Sequence, residues 1–184
     1  MKVNGTSYTT IWYDSDNEQV SIIDQTQLPH RFDIVTLDTL SDFCHAISSM
    51  QVRGAPLIGV TAAYGLAIAL RKNPSTQSEN KAASQLLATR PTAVNLQWAI
   101  RRMREAISTA SIEFRAERAL LEASNIFDED IAHCSAIGDH GNKLLKDAYE
   151  TKTDGSQLNI LTHCNAGWLA TIDWGTATSP IYHA

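Results

Sequence analysis

The sequence has few cysteines, no excess of basic residues and no long hydrophobic run, and each absence excludes a class of protein. The three cysteines, Cys44, Cys134 and Cys164, are widely spaced and form no Cys-x-x-Cys pair. A disulfide framework is therefore not expected, and a reducing cytoplasm is the predicted compartment. The formal net charge of −5 argues against nucleic acid or an anionic membrane as a partner. Residues 56–70, the most apolar stretch, are too few to cross a bilayer, and the N-terminus lacks the apolar segment of a signal peptide.

The order of sequence patterns predicts a small β element followed by helices. The β-branched and aromatic runs YTTIWYD and EQVSIID, separated by the turn-like DSDN, are typical of a hairpin. Leu40, Phe43, Cys44 and Ile47 have helical spacing, so Cys44 is expected to be a small core residue. A buried helix is expected from Pro56, with glycines and alanines that let a neighbour pack closely.

The sequence also predicts the helices of the second half of the first domain. A polar connection is expected at residues 73–81, then a short helix AASQLLA, then a helix with Thr92 as N-cap. Residues 112–137 form an amphipathic segment, and a further helix is expected after a break at Gly138.

The pattern changes at Leu158, where LNILTHCNAG is typical of the first strand of an α/β sheet. We therefore expect an α/β protein with two parts. Residues 1–150 form a mainly helical domain with a small antiparallel β element, and residues 158–184 begin a second domain.

Two arginines precede expected helix starts. Arg53, Gly54 and Ala55 lie directly before the helix at Pro56, and Arg90 precedes the helix near Thr92. Free N–H groups at a helix start, the helix dipole and a guanidinium together favour an anion. From spacing alone, the simpler interpretation of each is a helix-entry turn with a surface arginine. The repeated arrangement favours a phosphorylated or carboxylated ligand.

Cys164 stands beside His163 where the expected strand ends. Ligands of α/β folds bind at such ends, and a helix N-terminus can stabilise a thiolate there. The simpler interpretation is a structural cysteine beside a histidine that hydrogen-bonds to the backbone. Metal is not expected, because neither His163-Cys164 nor His133-Cys134 has the spacing of a zinc site.

Five segments together resemble the methylthioribose-1-phosphate isomerase family. They are IDQTQLP at 23–29, VRGAPLIGVTAAYGLA at 52–67, RPTAVNLQWAI at 90–100, AIGDHG at 136–141 and ILTHCNAGWLAT at 160–171. The resemblance implies that the second domain is Rossmann-like and that the protein is a homodimer without a cofactor. It also implies that Arg53, Gly54 and Ala55 contact the substrate, that Arg90 helps to hold its phosphate, and that Cys164 lies at the reacting carbons.

The implied reaction converts 5-methylthioribose 1-phosphate into the corresponding ketose, a step of methionine salvage. Members of the family continue after the GTA motif, here residues 175–177, and carry a catalytic aspartate, a glutamine and an Asn-Lys pair without counterpart here. The chain is therefore expected to be an inactive amino-terminal fragment. Two alternatives stay open: a ribose-1,5-bisphosphate isomerase, and a non-catalytic regulatory module related to the translation-initiation exchange factor.

Overall fold

The strands lie in the first 37 residues and the helices in the remainder, in a computed structural model that describes residues 1–184. The strands are β1 (Lys2–Val3), β2 (Thr6–Ser7), β3 (Ile11–Asp14), β4 (Gln19–Ile23) and β5 (Ile34–Leu37). β1 and β2 form one antiparallel pair, and β3, β4 and β5 form an antiparallel sheet in that order. The chain is thus mixed and mostly helical, with small antiparallel sheets, as the sequence predicted.

The hairpin predicted at YTTIWYD and EQVSIID is confirmed. Ile11 of β3 pairs with Ile22 of β4, and both side chains are fully buried. Asp14 closes the turn, since its Oδ1 accepts hydrogen bonds from the backbone N–H groups of Asp16 and Asn17. Along β4, Val20 and Ile22 are fully buried and share one face of the sheet, which is the face that meets the hydrophobic core.

Six α-helices follow. They are α1 (Leu40–Ser48), α2 (Ala55–Lys72), α3 (Thr76–Thr89), α4 (Val94–Ile107), α5 (Arg115–Glu150) and α6 (Ser179–His183), with a 3₁₀ turn at Trp168–Ala170. A capping box starts α1, where Asp42 N–H donates to the Thr39 hydroxyl and the Asp42 carboxylate accepts from Thr39 N–H.

Helix α2 is the centre of the molecule. All residues from Leu57 to Leu70 are buried, and α1, α3, α4 and α5 contact the helix. The small residues permit this packing: a Cβ at Gly65 would stand 3.0 Å from the Phe43 Cβ. The predicted close approach of neighbours is confirmed. None of the helices combines the length and hydrophobicity that a membrane span needs.

Three predicted helix boundaries are wrong. The polar stretch before Lys81 is largely helical, because Ser75 caps α3 by accepting a hydrogen bond from Ser78 N–H. Thr92 is not a cap, since the N-cap of α4 is Ala93 and carries no side-chain hydrogen bond. The two segments around Gly138 form one helix of 36 residues, α5, with Gly138 in its interior.

Gly138 is present because α6 packs against α5 at that position. A Cβ there would overlap the Ser179 hydroxyl and would lie 2.7 Å from the His183 ring. We expect Gly138→Ala to lower the free energy of unfolding by about 1–3 kcal/mol, although alanine favours a helix. Chemical denaturation measures this free energy. His140→Ala is the control, because His140 is an exposed residue of the same helix. A free energy of unfolding that is the same in Gly138→Ala as in the wild-type protein would contradict this packing.

The strand predicted from Leu158 onward is not formed. Residues 157–163 make no backbone–backbone hydrogen bond, and the Leu161 side chain is 97% exposed. A strand is stable only when neighbouring strands pair with its N–H and C=O groups, and residues 1–184 supply none at this place. The apolar pattern identified a segment that is able to form a strand, but not the partner that would stabilise it.

Candidate active site

The Arg53–Ala55 segment forms the entrance to α2. Helix α2 begins at Ala55, one residue earlier than predicted, and its N-cap Gly54 has a φ of 102° and no side-chain cap. The Arg53 side chain is exposed. The first N–H groups of α2 therefore have no side-chain acceptor, and the arginine directly before the N-cap supplies a cationic side chain, as an anion site requires.

Gly54 is required here for two reasons. Its positive φ belongs to the region that residues with a Cβ rarely adopt. A Cβ at this position would also overlap the Cα and carbonyl oxygen of Ala170. The α2 entrance thus packs backbone to backbone against the turn that follows Cys164, and only glycine allows that approach.

Cys164 lies just before that turn. Its thiol is free and exposed, and its backbone has a φ of 79°, a left-handed conformation for a residue with a Cβ. No α-helix starts directly after it; the 3₁₀ turn begins four residues later at Trp168. The predicted effect of a helix N-terminus on the thiol is therefore not a feature of this structure.

One cavity brings Arg53 and Cys164 together. It has a volume of about 200 Å³ and is lined by Gln25, Arg53, Cys164, Asn165 and Leu169, with small residues at 166, 167 and 170. Residues with a guanidinium, a thiol and amide groups therefore border the same cavity. No three His, Cys, Asp or Glu side chains lie close enough together to hold a metal ion.

Arg90 lies elsewhere. It is the C-cap of α3, and it is not among the residues that line the cavity between Arg53 and Cys164. Its carbonyl oxygen accepts a hydrogen bond from Ala93 N–H in the turn that leads into α4. The expected contact of Arg90 with a phosphate therefore stays a prediction.

Gln25 is the cavity residue that we did not single out from the sequence. Gln25 is only 6% exposed, and its side-chain Nε2 donates a hydrogen bond of 2.6 Å to the Leu169 carbonyl oxygen. Its backbone N–H donates to the carbonyl oxygen of Gln51. The signal was present in the IDQTQLP segment, but a glutamine after a strand has no pattern that marks it as functional.

Asp24, beside Gln25, holds the loop that carries Arg53. Its Oδ2 accepts a hydrogen bond of 2.9 Å from the Gln51 side chain, and its Oδ1 accepts two from Thr26. Burial, the largest single effect, raises the pKa of Asp24, but the hydrogen bonds from Thr26 and Gln51 together lower it below its usual 3.8. The ionised Asp24 carboxylate therefore stabilises the folded loop at pH values above 3.8, the usual pKa of an aspartate. This stabilisation is lost as the pH falls through the lowered pKa of the folded state.

The turn after Cys164 is held from both sides. The Thr10 hydroxyl donates to the Thr171 carbonyl oxygen at 2.6 Å, and Thr10 N–H donates to that of Ile172. From the other side, Asp130 of α5 accepts a hydrogen bond of 2.8 Å from Ile172 N–H. The hairpin and α5 together position the turn against the α2 entrance.

Comparisons with known proteins identify relatives of this chain. The model of the Initiation factor 2 subunit family matches residues 51–184. The chain is 54% identical to a methylthioribose-1-phosphate isomerase from Methylocella silvestris and 50% identical to one from Methylobacterium nodulans. Each alignment covers 100% of this chain and 50% of the relative. The chain therefore spans about half the length of the curated relatives it matches, and the predicted resemblance is confirmed.

Two solved structures share the fold. The translation initiation factor eIF-2B, subunit delta, from A. fulgidus has a TM-score of 0.81 at 36% identity. The 5-methylthioribose 1-phosphate isomerase from Pyrococcus horikoshii OT3 has a TM-score of 0.79 at 34% identity. Each comparison covers 97% of this chain and 51% of the other.

Proposed function

The chain belongs to the Initiation factor 2 subunit family, and we propose that it forms part of an aldose–ketose isomerase that acts on 5-methylthioribose 1-phosphate. The cavity shared by Arg53 and Cys164 carries this proposal, because it joins a phosphate-binding group to a thiol. The identity of 50–54% to isomerases over the whole chain supports the substrate. The reaction would place the protein in methionine salvage.

The proposed chemistry divides between the two sides of the cavity. The Arg53 guanidinium and the free N–H groups of α2 hold the phosphate, and Cys164 lies at the sugar carbons C1 and C2. During the isomerisation a hydrogen moves from C2 to C1 and the bond between C1 and the ring oxygen breaks. The C2 hydroxyl loses its proton as the C2=O double bond forms, and the ring oxygen takes up a proton, so that the number of protons is unchanged. Burial of the sugar would favour these steps by excluding water.

The remaining parts of the proposal concern the whole protein. Residues 158–184 would open a Rossmann-like domain, whose neighbouring strands would pair with the segment that is irregular here. Arg90 would contact the phosphate, and the protein would be a cytoplasmic homodimer. These features rest on the resemblance and on the irregular but apolar stretch at Ile160 and Leu161.

A second candidate function is a non-catalytic regulatory module. The initiation-factor subunit has a TM-score as high as that of the isomerase, 0.81 against 0.79, so the fold alone does not separate the two functions. The thiol beside Arg53 favours the isomerase, because a purely regulatory surface gives no evident use for it.

The test uses two proteins. One is the 184-residue chain. The other, the completed chain, joins residues 1–184 in register to the C-terminal half of the Methylocella silvestris isomerase. We expect the completed chain to convert 5-methylthioribose 1-phosphate and the 184-residue chain to be inactive. Binding of the sugar phosphate without turnover by a folded completed chain would favour the regulatory module, and faster turnover of ribose 1,5-bisphosphate would favour that isomerase.

Arg53→Met in the completed chain tests the proposed phosphate contact. Methionine keeps much of the side-chain length and removes the charge, so we expect KM to rise about tenfold or more, as for the loss of a charge-assisted hydrogen bond. Arg101→Met is the matched control, since Arg101 is an exposed arginine of α4 outside the cavity. Equal KM values in the two variants would show that Arg53 does not contact the phosphate.

A further inference from the structure

Gln25, a residue that lines the cavity, has a side-chain acceptor without a hydrogen-bond partner. Its amide nitrogen is committed, since Nε2 donates to the Leu169 carbonyl oxygen at 2.6 Å. Its amide oxygen Oε1 is buried and has no hydrogen-bond partner. Buried polar atoms are nearly always paired, so an orphaned oxygen on a residue that lines a cavity indicates a missing partner.

The hydrogen bond to Leu169 also fixes the chemistry of that partner. Because the nitrogen of the amide is the atom that meets a carbonyl oxygen, the oxygen occupies the other position and can only accept. A phosphate oxygen, which also accepts, cannot satisfy it. A hydroxyl group can, and a sugar phosphate carries hydroxyl groups close to its phosphate.

We propose that Gln25 is a substrate-positioning residue whose Oε1 accepts a hydrogen bond from a secondary hydroxyl of the sugar phosphate in the cavity. This proposal rests on the proposed function, and it assigns a contact to the IDQTQLP segment. Arg53 would hold the phosphate and Gln25 the sugar. The pair would therefore orient the sugar carbons toward Cys164, which lines the same cavity.

The backbone around Gln25 suits a positioning residue. Gln25 N–H donates to the Gln51 carbonyl oxygen at 3.0 Å, and the Gln51 side chain donates to Asp24. Gln25 is therefore tied both to the loop that carries Arg53 and to the turn that follows Cys164. Oε1 has almost no accessible surface in this structure, so a ligand hydroxyl reaches it only after a small local shift that opens the atom to the cavity. The amide nitrogen stays on the Leu169 carbonyl oxygen during such a shift, which limits the cost in side-chain entropy.

The test measures the affinity of two probes, ribose 1-phosphate and 2-deoxyribose 1-phosphate, by calorimetry, and adds the 3-deoxy analogue. Binding is measured on the completed chain and, in parallel, on the 184-residue chain. We expect Gln25→Met to weaken ribose 1-phosphate about tenfold, as for the loss of one hydrogen bond. We expect the same substitution to weaken the deoxy analogue that lacks the bonded hydroxyl by a clearly smaller factor, which reflects only the lost hydrogen bond to Leu169.

Gln51→Met is the matched control. It removes an amide that holds the same loop, but Gln51 does not line the cavity. We expect it to weaken the hydroxylated and deoxy probes equally, because it only loosens the loop. In the completed chain Gln25→Met should raise KM for 5-methylthioribose 1-phosphate more than it lowers kcat, since a ground-state contact is lost.

Two outcomes overturn the proposal in different ways. If ribose 1-phosphate binds and Gln25→Met weakens all three probes by the same factor, Gln25 has only a structural function and the isomerase proposal stands. If folded wild-type protein binds no sugar phosphate in either form, both proposals fail. Circular dichroism and thermal denaturation establish folding for each variant.

Discussion

Gly54→Ala is expected to lower the free energy of unfolding by about 2–6 kcal/mol and to abolish sugar-phosphate binding. The backbone at φ 102° and ψ 137° costs a residue with a Cβ about 1–3 kcal/mol, and overpacking adds about 1–3 kcal/mol. The overpacking is severe here because the new Cβ would overlap the Ala170 backbone, which cannot rotate away as a side chain could. To relieve the overlap, the turn must move away from the α2 entrance, and the cavity opens.

Gly155→Ala is the matched control for this prediction. Gly155 also has a positive φ, 67°, but nothing lies within 4 Å of an added Cβ. It therefore measures the backbone cost without the overlap, and we expect a loss of only about 1–2 kcal/mol with binding preserved. Chemical denaturation gives both values. Equal losses for the two variants would show that the turn does not pack against Gly54 in solution.

Cys164→Ser is expected to lower kcat of the completed chain about 10²-fold with little change in KM. A thiol that takes part in proton transfer or stabilises charge at the reacting carbons contributes about 10²–10⁴ to the rate. The change in KM is small because Arg53, and not the thiol, holds the phosphate. Cys164 is exposed and in no disulfide, so serine fits at this position without disturbing the core.

The control for the thiol is Cys44→Ala. Cys44 is a half-buried residue of α1 that packs against the hydrophobic core, and burial raises the pKa of its thiol. It is expected to change stability and leave kcat within about twofold, because α1 does not line the cavity. Steady-state turnover of 5-methylthioribose 1-phosphate measures both variants. An unchanged kcat in Cys164→Ser would contradict the proposal that the thiol takes part in the reaction.

Together the two predictions separate the architecture of the cavity from its chemistry. Gly54→Ala should affect stability and binding, whereas Cys164→Ser should affect the rate alone. A protein in which both variants lose only stability would still have the fold, but the cavity would have no catalytic function. In that case the regulatory alternative would gain support.

Local patterns were sufficient for most of the helical core. The spacing of apolar residues predicted the buried face of α1, and the small residues predicted the close packing around α2. Both signals are local, because they come from residues within a few turns of one helix. The hairpin was predictable for the same reason. One error fell where a distant contact decides: Gly138 was interpreted as a break, but its hydrogen atom gives α6 the space to pack on α5. The errors at the starts of α3 and α4 were local, since they concern which residue caps the helix.

The candidate site shows the same division. Arg53, Gly54 and Cys164 could be singled out from residue type, position and resemblance, but their common cavity depends on the contact between Gly54 and Ala170. Gln25 was not singled out, because its orphaned oxygen exists only after Leu169 takes its nitrogen. The strand expected at Leu158 required hydrogen-bond partners far away in the chain. Periodicity and residue chemistry act over a few residues, whereas packing, hydrogen-bond satisfaction and strand pairing depend on which distant segments meet.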